Sequence, residues 1–144
     1  MTKIIITLKG FKIMASINTD SSKGKAIISC LPIISKINTW GDELYFPFNL
    51  NTQIESPVNA VNLGDIAYSY YWKALCIFYG KTPYSGTYEI IPNGPVEVVG
   101  KLEENPFILK KLLSGYLKEK KRRVFNRIPI FMRFVETIKI EKAC

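Results

Sequence analysis

Apolar and polar residues alternate from the first positions of the chain. Ile4, Ile6 and Leu8 fall on one face of an extended segment, and Lys3, Ile5, Thr7 and Lys9 fall on the other. Ile13, Ala15 and Ile17 repeat the alternation beyond Gly10, so residues 3–9 and 11–17 are predicted to be two strands joined by a tight turn. Runs of β-branched and aromatic residues, bounded by Gly, Pro, Asn or Asp, predict further strands at about 32–38, 43–48, 65–71, 73–79 and 96–102. Phe134, Glu136, Ile138 and Ile140 alternate with their neighbours and predict a final strand at about 134–141.

Twice the period changes to that of a helix. Thr19-Asp20-Ser21-Ser22 is a helix-start cluster, Ala26, Ile27, Cys30 and Leu31 then share one face, and Pro32 ends the run. Gly24 lowers helix propensity there and shortens the expected helix. In the second, Asn105 is the cap, Pro106 occupies the first turn, Phe107, Ile108, Leu109, Leu112 and Leu113 form an apolar face, and Gly115 closes it. There is no internal repeat and no low-complexity linker. The order of elements predicts one mainly β domain over 1–144, a closed barrel with two helices plugging its ends.

Composition narrows the function classes. A chain of 144 residues with 47% apolar and 22% charged residues is long enough to bury a core and too apolar for wholesale disorder. No apolar run approaches the roughly 18 residues that cross a bilayer. The apolar stretch in Met1–Lys9 is too short for a signal peptide, and Lys9 and Lys12 stand where a small-residue cleavage site belongs. A cytoplasmic protein is the expectation. Cys30, Cys76 and Cys144 are odd in number and lack a C-x-x-C spacing, which predicts free thiols, with Cys30 and Cys76 acting as small hydrophobes among apolar neighbours. The chain has no His, which removes Ser-His-Asp, Cys-His and His-based acid–base chemistry and leaves zinc without ligands. No metal and no cofactor is expected.

Charge is distributed unevenly. Residues 1–109 carry nine Lys, no Arg and nine acids, whereas 110–144 carry seven Lys, four Arg and three acids, so the whole excess of +8 lies in the last quarter. Its densest part, Lys118-Glu119-Lys120-Lys121-Arg122-Arg123 followed by Arg127, offers Lys120, Lys121, Arg122, Arg123 and Arg127 as non-specific nucleic-acid contacts acting through counterion release. Tyr116 and Phe125 are too few to form a base-stacking platform, and such runs are more often solvated faces. The neighbouring Ile128-Pro129-Ile130-Phe131-Met132 suits either a homodimer contact or core packing.

Four stretches carry a resemblance. They are Leu31-Pro32-Ile33, Trp40-Gly41-Asp42-Glu43-Leu44-Tyr45-Phe46, Gly64-Asp65-Ile66-Ala67-Tyr68, and Phe78-Tyr79-Gly80-Lys81-Thr82-Pro83 with Ser85. In order and spacing the chain resembles the small prokaryotic cyclophilin-like proteins of unknown function, over about residues 3–115 and the last strand. The resemblance implies an eight-stranded cyclophilin-like barrel with two capping helices, and it brings no established activity. The chain departs from that pattern at Lys81, where such proteins usually have Pro in a Gly-Pro-Thr-Pro turn, and at about 116–133, which reads as a basic insertion before the closing strand.

Three functions follow as expectations. The leading one is a rim pocket for a small ligand or extended peptide, without strong catalysis. On a strand, Glu43 and Tyr45 share one face and Leu44 and Phe46 the other, so Trp40, Glu43 and Tyr45 converge with Asp65 and Tyr68 if that face borders a groove. Two carboxylates there would also serve acid–base chemistry if their environments drove their pKa values apart. Phe78, Thr82 and Pro83 join the set from a strand leaving into a Gly/Pro-punctuated loop, which is equally readable as a rigid turn and lacks the spacing of a phosphate loop. The second function is a degenerate peptidyl-prolyl isomerase, which the resemblance suggests. Cyclophilins proper aim an Arg at the twisted amide beside a Phe-Met-x-Gln segment; here no Arg precedes Arg122 and that segment is absent, leaving a Lys such as Lys36 as the donor. Nucleic-acid binding through the basic segment is the third.

Overall fold

The computed structural model of the protein describes residues 1–113 and 136–144. Gly115, the basic residues Lys120, Lys121, Arg122, Arg123 and Arg127, the apolar run 128–132 and Phe134 lie outside the described residues. Alternation produces the expected strands: β1 (Thr2–Leu8), β2 (Phe11–Ile17), β3 (Ile33–Lys36), β4 (Asn38–Trp40), β5 (Glu43–Pro47), β6 (Asp65–Ser69), β7 (Ala74–Phe78), β8 (Val96–Leu102) and β9 (Thr137–Lys142). They form one antiparallel sheet in the order β3-β9-β1-β2-β8-β6-β7-β5-β4.

The two ends of that order are halves of a single run. β3 pairs with β9 and β4 pairs with β5, and only Ile37 separates them, its own N–H donating to Glu136 O at 3.0 Å. Counted as one bent strand, residues 33–40 join the first edge of the sheet to the last. The result is a nearly closed, mainly β barrel of eight staves. The expected strand at 32–38 is therefore longer and broken in the middle.

Register follows from which faces are apolar. Ile4 lies opposite Ala15, Ile6 opposite Ile13 and Ile140, and Leu8 opposite Ile138, all of them buried. A slip of one residue would turn every one of these side chains outward. Full burial of each such side chain stabilises the fold by about 1.5–3 kcal/mol, so the register is strongly specified. Lys9 and Gly10 both have positive φ, which matches the two-residue turn that suits a right-twisted hairpin.

Helix α1 (Ser22–Ser29) plugs the end of the barrel where β2 stops and β8 begins. The Ser21 hydroxyl caps it by accepting from Gly24 N–H at 3.0 Å. Gly24 is needed because a Cβ there would sit 1.8 Å from Asn18 O. The face turned to the core differs from the expected one: Lys23, Gly24 and Ile27 are buried, whereas Cys30 lies past the helix end and is exposed. Lys23 is fully buried and its ammonium lies 3.3 Å from Glu97 Oε1 and 5.4 Å from the centre of the Tyr70 ring. Glu97, on β8, also accepts from Tyr70 Oη at 2.8 Å and from Glu55 N–H at 3.0 Å. One carboxylate thus ties helix, sheet and loop together inside the barrel mouth.

Helix α2 covers residues 107–113 as far as the described residues run. Asn105 Oδ1 accepts from Phe107 N–H at 3.0 Å, as a cap should. Leu109 and Leu113 enter the core, while Phe107, expected on the apolar face, is exposed. Pro106 lies against Gly64, and Lys110 pairs with Asp42 at 3.2 Å, which places α2 at the barrel end opposite α1. Among the described residues no helix is long and apolar enough to cross a membrane.

Replacing Lys23 with Met should cost about 3–5 kcal/mol of unfolding free energy, because it strands a buried carboxylate. In Lys23→Met combined with Glu97→Gln, the amide still accepts from Tyr70 and Glu55, so at least half of that loss should return. Urea denaturation of the four proteins of the cycle measures both numbers.

Candidate functional site

Strand β7 is buried at all five of its residues. Leu75 and Ile77 face the barrel interior and join its core, so Ala74, Cys76 and Phe78 face outward. An outward face of a barrel normally meets water. Here Val61, Val96 and Ile90 pack over it, held by the bridges Val58–Val96 and Val61–Ile90 from the long connections on either side. Between this cover and strands β4 and β5 a cavity of about 260 Å³ remains. Trp40, Glu43 and Tyr45 wall it on one side, Ala74, Cys76 and Phe78 form its floor, and Ser69, Trp72, Pro92, Asn93 and Val96 complete it.

Two turns hold the walls in place. Asp42 N–H donates to Lys81 O at 2.8 Å, and Tyr79 N–H donates to Asp42 O at 2.9 Å, stitching the 40–43 turn to the end of β7. That approach needs glycine on both sides: a Cβ at Gly80 would lie 2.3 Å from Asp42 Oδ2, and Gly41 has a φ of +60° with Lys81 O only 2.8 Å from where its Cβ would be. Tyr84, beyond the turn, meets Trp40 edge-on at 4.9 Å. On the far side Trp72 Nε1 donates to Asn93 O at 3.1 Å, and Tyr71 packs edge-on against the Trp72 ring.

Glu43 is the chemically unusual residue of the site. It is 7% exposed, and its Oε1 is buried without a hydrogen-bond partner among the described residues. Burial raises its pKa from 4.5 to about 7, against a smaller opposing effect from the neighbouring Cys76 thiol. Burial and the Glu43 charge together push the Cys76 thiol upward, far from reactivity. Tyr79 is pushed up too, by burial first and then by Asp42 and Glu43. The adjacent Asp42 is different: Lys110 gives it a counter-charge at 3.2 Å. Among the described residues no Lys or Arg lines the cavity.

Of the eight ligand-binding residues expected from sequence, the structure brings four together: Trp40, Glu43, Tyr45 and Phe78. They gather on the outer wall of the barrel and not at its rim. Tyr68 does not join them, because it points into the barrel core, 1% exposed, with its hydroxyl accepting from Leu50 N–H at 3.0 Å. Asp65 Oδ2 accepts from Asn62 N–H at 2.8 Å and closes a turn. Its pKa is raised by burial, with Asn62 and Lys101 opposing. Phe78 stands between Asp65 and Glu43 in the register, which keeps the two backbones two strand spacings apart, about 10 Å. Thr82 is buried and structural: its hydroxyl donates to Ile91 O, and Ser85 Oγ accepts from both Thr82 N–H and Ile91 N–H at 3.0 Å. Pro83 is exposed and packs near Gly41. Lys36, the substitute donor for prolyl isomerisation, is exposed on β3 opposite Thr137 and does not line the cavity.

Sequence reasoning missed Ser69, Trp72, Ala74, Cys76, Pro92, Asn93 and Val96. For β7 a signal exists. Ala74-Leu75-Cys76-Ile77-Phe78 is apolar without alternation, the mark of a strand covered on both faces. For Asn93 and Pro92 there is none, since only the folded loop brings them over Trp72.

A family model described as cyclophilin-like matches residues 2–130. The solution structure of the hypothetical protein AF2241 from Archaeoglobus fulgidus is similar at a TM-score of 0.66 and 26% identity, with 99% of this chain and 95% of that one covered. McbB, solved in complex with tryptophan, is similar at a TM-score of 0.55 and 14% identity over 96% of this chain and 44% of its own. No curated protein matches.

Two outcomes test this electrostatic description. A carboxyl whose folded pKa is raised stabilises the native state relative to its ionised form only while it keeps its proton. Its contribution is complete below pH 4.5 and is lost as pH rises through about 7. Wild type should therefore lose up to about 3 kcal/mol between pH 4.5 and 8 relative to Glu43→Gln, as read by urea denaturation at both pH values. Thiol labelling of the native protein should modify the exposed Cys30 and Cys144 within minutes and leave Cys76 unmodified until the chain unfolds, as mass spectrometry would show.

Proposed function

The chain belongs to the cyclophilin-like family, and we propose that it is a binding protein for a small organic ligand held in the outer-wall cavity. The observation that carries this reading is the cavity itself: an apolar floor from β7, aromatic walls from Trp40, Tyr45 and Trp72, and one buried carboxyl at Glu43. Ligand sites have this composition, mostly apolar and aromatic with a few fixed polar groups. At about 260 Å³ it is close to the lower end of the range for small-molecule sites, about 300 Å³. An occupant of one ring and a short tail fits that space better than an extended peptide.

Binding accounts for the site better than catalysis of a prolyl rotation. Isomerisation needs a donor aimed at the amide nitrogen, and among the described residues the cavity walls supply neither Arg nor Lys. The complex of McbB with tryptophan supports the reading at the level of architecture alone.

The protein carries its own reporters, because its two tryptophans, Trp40 and Trp72, both line the cavity. Single-ring fragments that bind should change the intrinsic fluorescence of wild type. Ala74→Phe, which fills the floor, should weaken those fragments at least tenfold while the far-ultraviolet circular dichroism stays unchanged. Binding that persists in Ala74→Phe, or that leaves both tryptophans unaffected, would place the ligand elsewhere and end this reading.

A further inference from the structure

We infer that the ligand of this cavity is an organic cation, a primary ammonium carried on a ring-bearing body, with the Glu43 carboxylate as its counter-charge. The inference deepens the ligand-binding reading and depends on it. Asp42 and Glu43 are consecutive acids at the mouth of β5, and the fold treats them oppositely. Asp42 is given Lys110 at 3.2 Å, while Glu43 is buried at 7% exposure, with an oxygen that has no hydrogen-bond partner and with no cation lining the cavity among the described residues. A buried carboxylate without a counter-charge is costly, and a buried carboxyl that needs none is normally tied up by donors. Among the described residues Glu43 has only the weak Cys76 donor beside it. A ligand ammonium would supply what the protein omits.

The walls favour the same class of ligand. Trp40, Tyr45 and Trp72 line the space, and the face of an aromatic ring attracts an ammonium through its quadrupole, most strongly where water is excluded. The remaining floor, Ala74, Cys76 and Phe78, is apolar and suits the ring of the ligand. Residues 1–109, which hold every described lining residue, carry nine Lys against nine acids and no Arg, so their own net charge does not oppose a cation.

Titration gives the inference a distinctive signature. Among the described residues the titratable groups around Glu43 are Cys76 on β7, Tyr45 on its own strand, and Asp42 and Tyr79 at the strand ends; none of them is cationic. An ammonium binds the ionised form, so its affinity should follow the Glu43 titration near pH 7.

The experiment titrates the full chain with phenethylamine and with its neutral analogue 2-phenylethanol, followed by tryptophan fluorescence. At pH 8 the amine should bind at least tenfold tighter than the alcohol. At pH 5.5 the amine should weaken by about thirtyfold, the share of Glu43 left ionised, while the alcohol stays constant. Glu43→Gln should remove the amine's advantage over the alcohol at pH 8 and the pH dependence of amine binding. If Glu43→Gln does not fold, Glu43→Asp, which withdraws the carboxylate by one methylene, should weaken the amine more than the alcohol. Equal binding of the two probes at pH 8, or amine binding indifferent to Glu43→Gln, overturns the cation and leaves the cavity as a ligand site. Failure of both probes while other fragments bind at the tryptophans also overturns only the cation; failure of every fragment overturns the ligand-binding reading beneath it.

Discussion

A strand buried at every position has to be covered on both of its faces, and β7 imposes that requirement on the whole molecule. Its inner face, Leu75 and Ile77, needs a closed ring of apolar staves, which β1, β2, β6 and β9 supply. Its outer face, Ala74, Cys76 and Phe78, needs a second layer that a simple barrel does not have. The long connections around β6 and β8 provide that layer, and they cover the face incompletely. The cavity is the part of the outer face that the cover does not reach. Barrel and site are thus two answers to one packing demand.

Glu43 shows what this arrangement costs. Its neighbours on β5, Leu44 and Phe46, are buried in the core, and the carboxyl on the opposite face is nearly as enclosed, with one oxygen lacking a hydrogen-bond partner among the described residues. Residues that break the rules of burial without local compensation concentrate where a protein handles something other than itself. The Lys23–Glu97 pair makes the contrast plain. There an equally buried carboxylate receives an ammonium, a tyrosyl hydroxyl and a backbone N–H, and it serves to seat a helix. Among the described residues Glu43 receives no comparable set of donors.

Local alternation revealed most of the fold, and the sequence pointed to four of the eleven residues that line the cavity. Glu43 and Tyr45 could be assigned to one face and Leu44 and Phe46 to the other because the period of a strand is two, and that division holds. Tyr68 was beyond such reasoning. Whether it faces the same side as Glu43 depends on a register, Ala67 opposite Cys76 and Tyr68 opposite Leu75, set by pairing between segments distant in sequence. A bulge between β6 and β8 shifts the following register again and turns Glu97 inward. Lys23 was equally hidden: a lysine in a short helix reads as solvated, and only the barrel mouth, with Glu97 waiting in it, makes burial possible. The resemblance supplied the number of staves, and the structure explains why a count of separate segments gives one more.

The bend at Ile37 has a consequence for how copies of this chain meet one another. Sheets with long open borders recruit foreign strands and polymerise edge to edge. Among the described residues the unpaired borders belong to β3 and β4, four and three residues long, on either side of a single residue. A visiting strand would find too short a ladder on each, offset from the other, with the exposed Lys36 standing at the junction. By spending one strand on both seams, the molecule closes the route by which β-rich proteins most readily form fibrils.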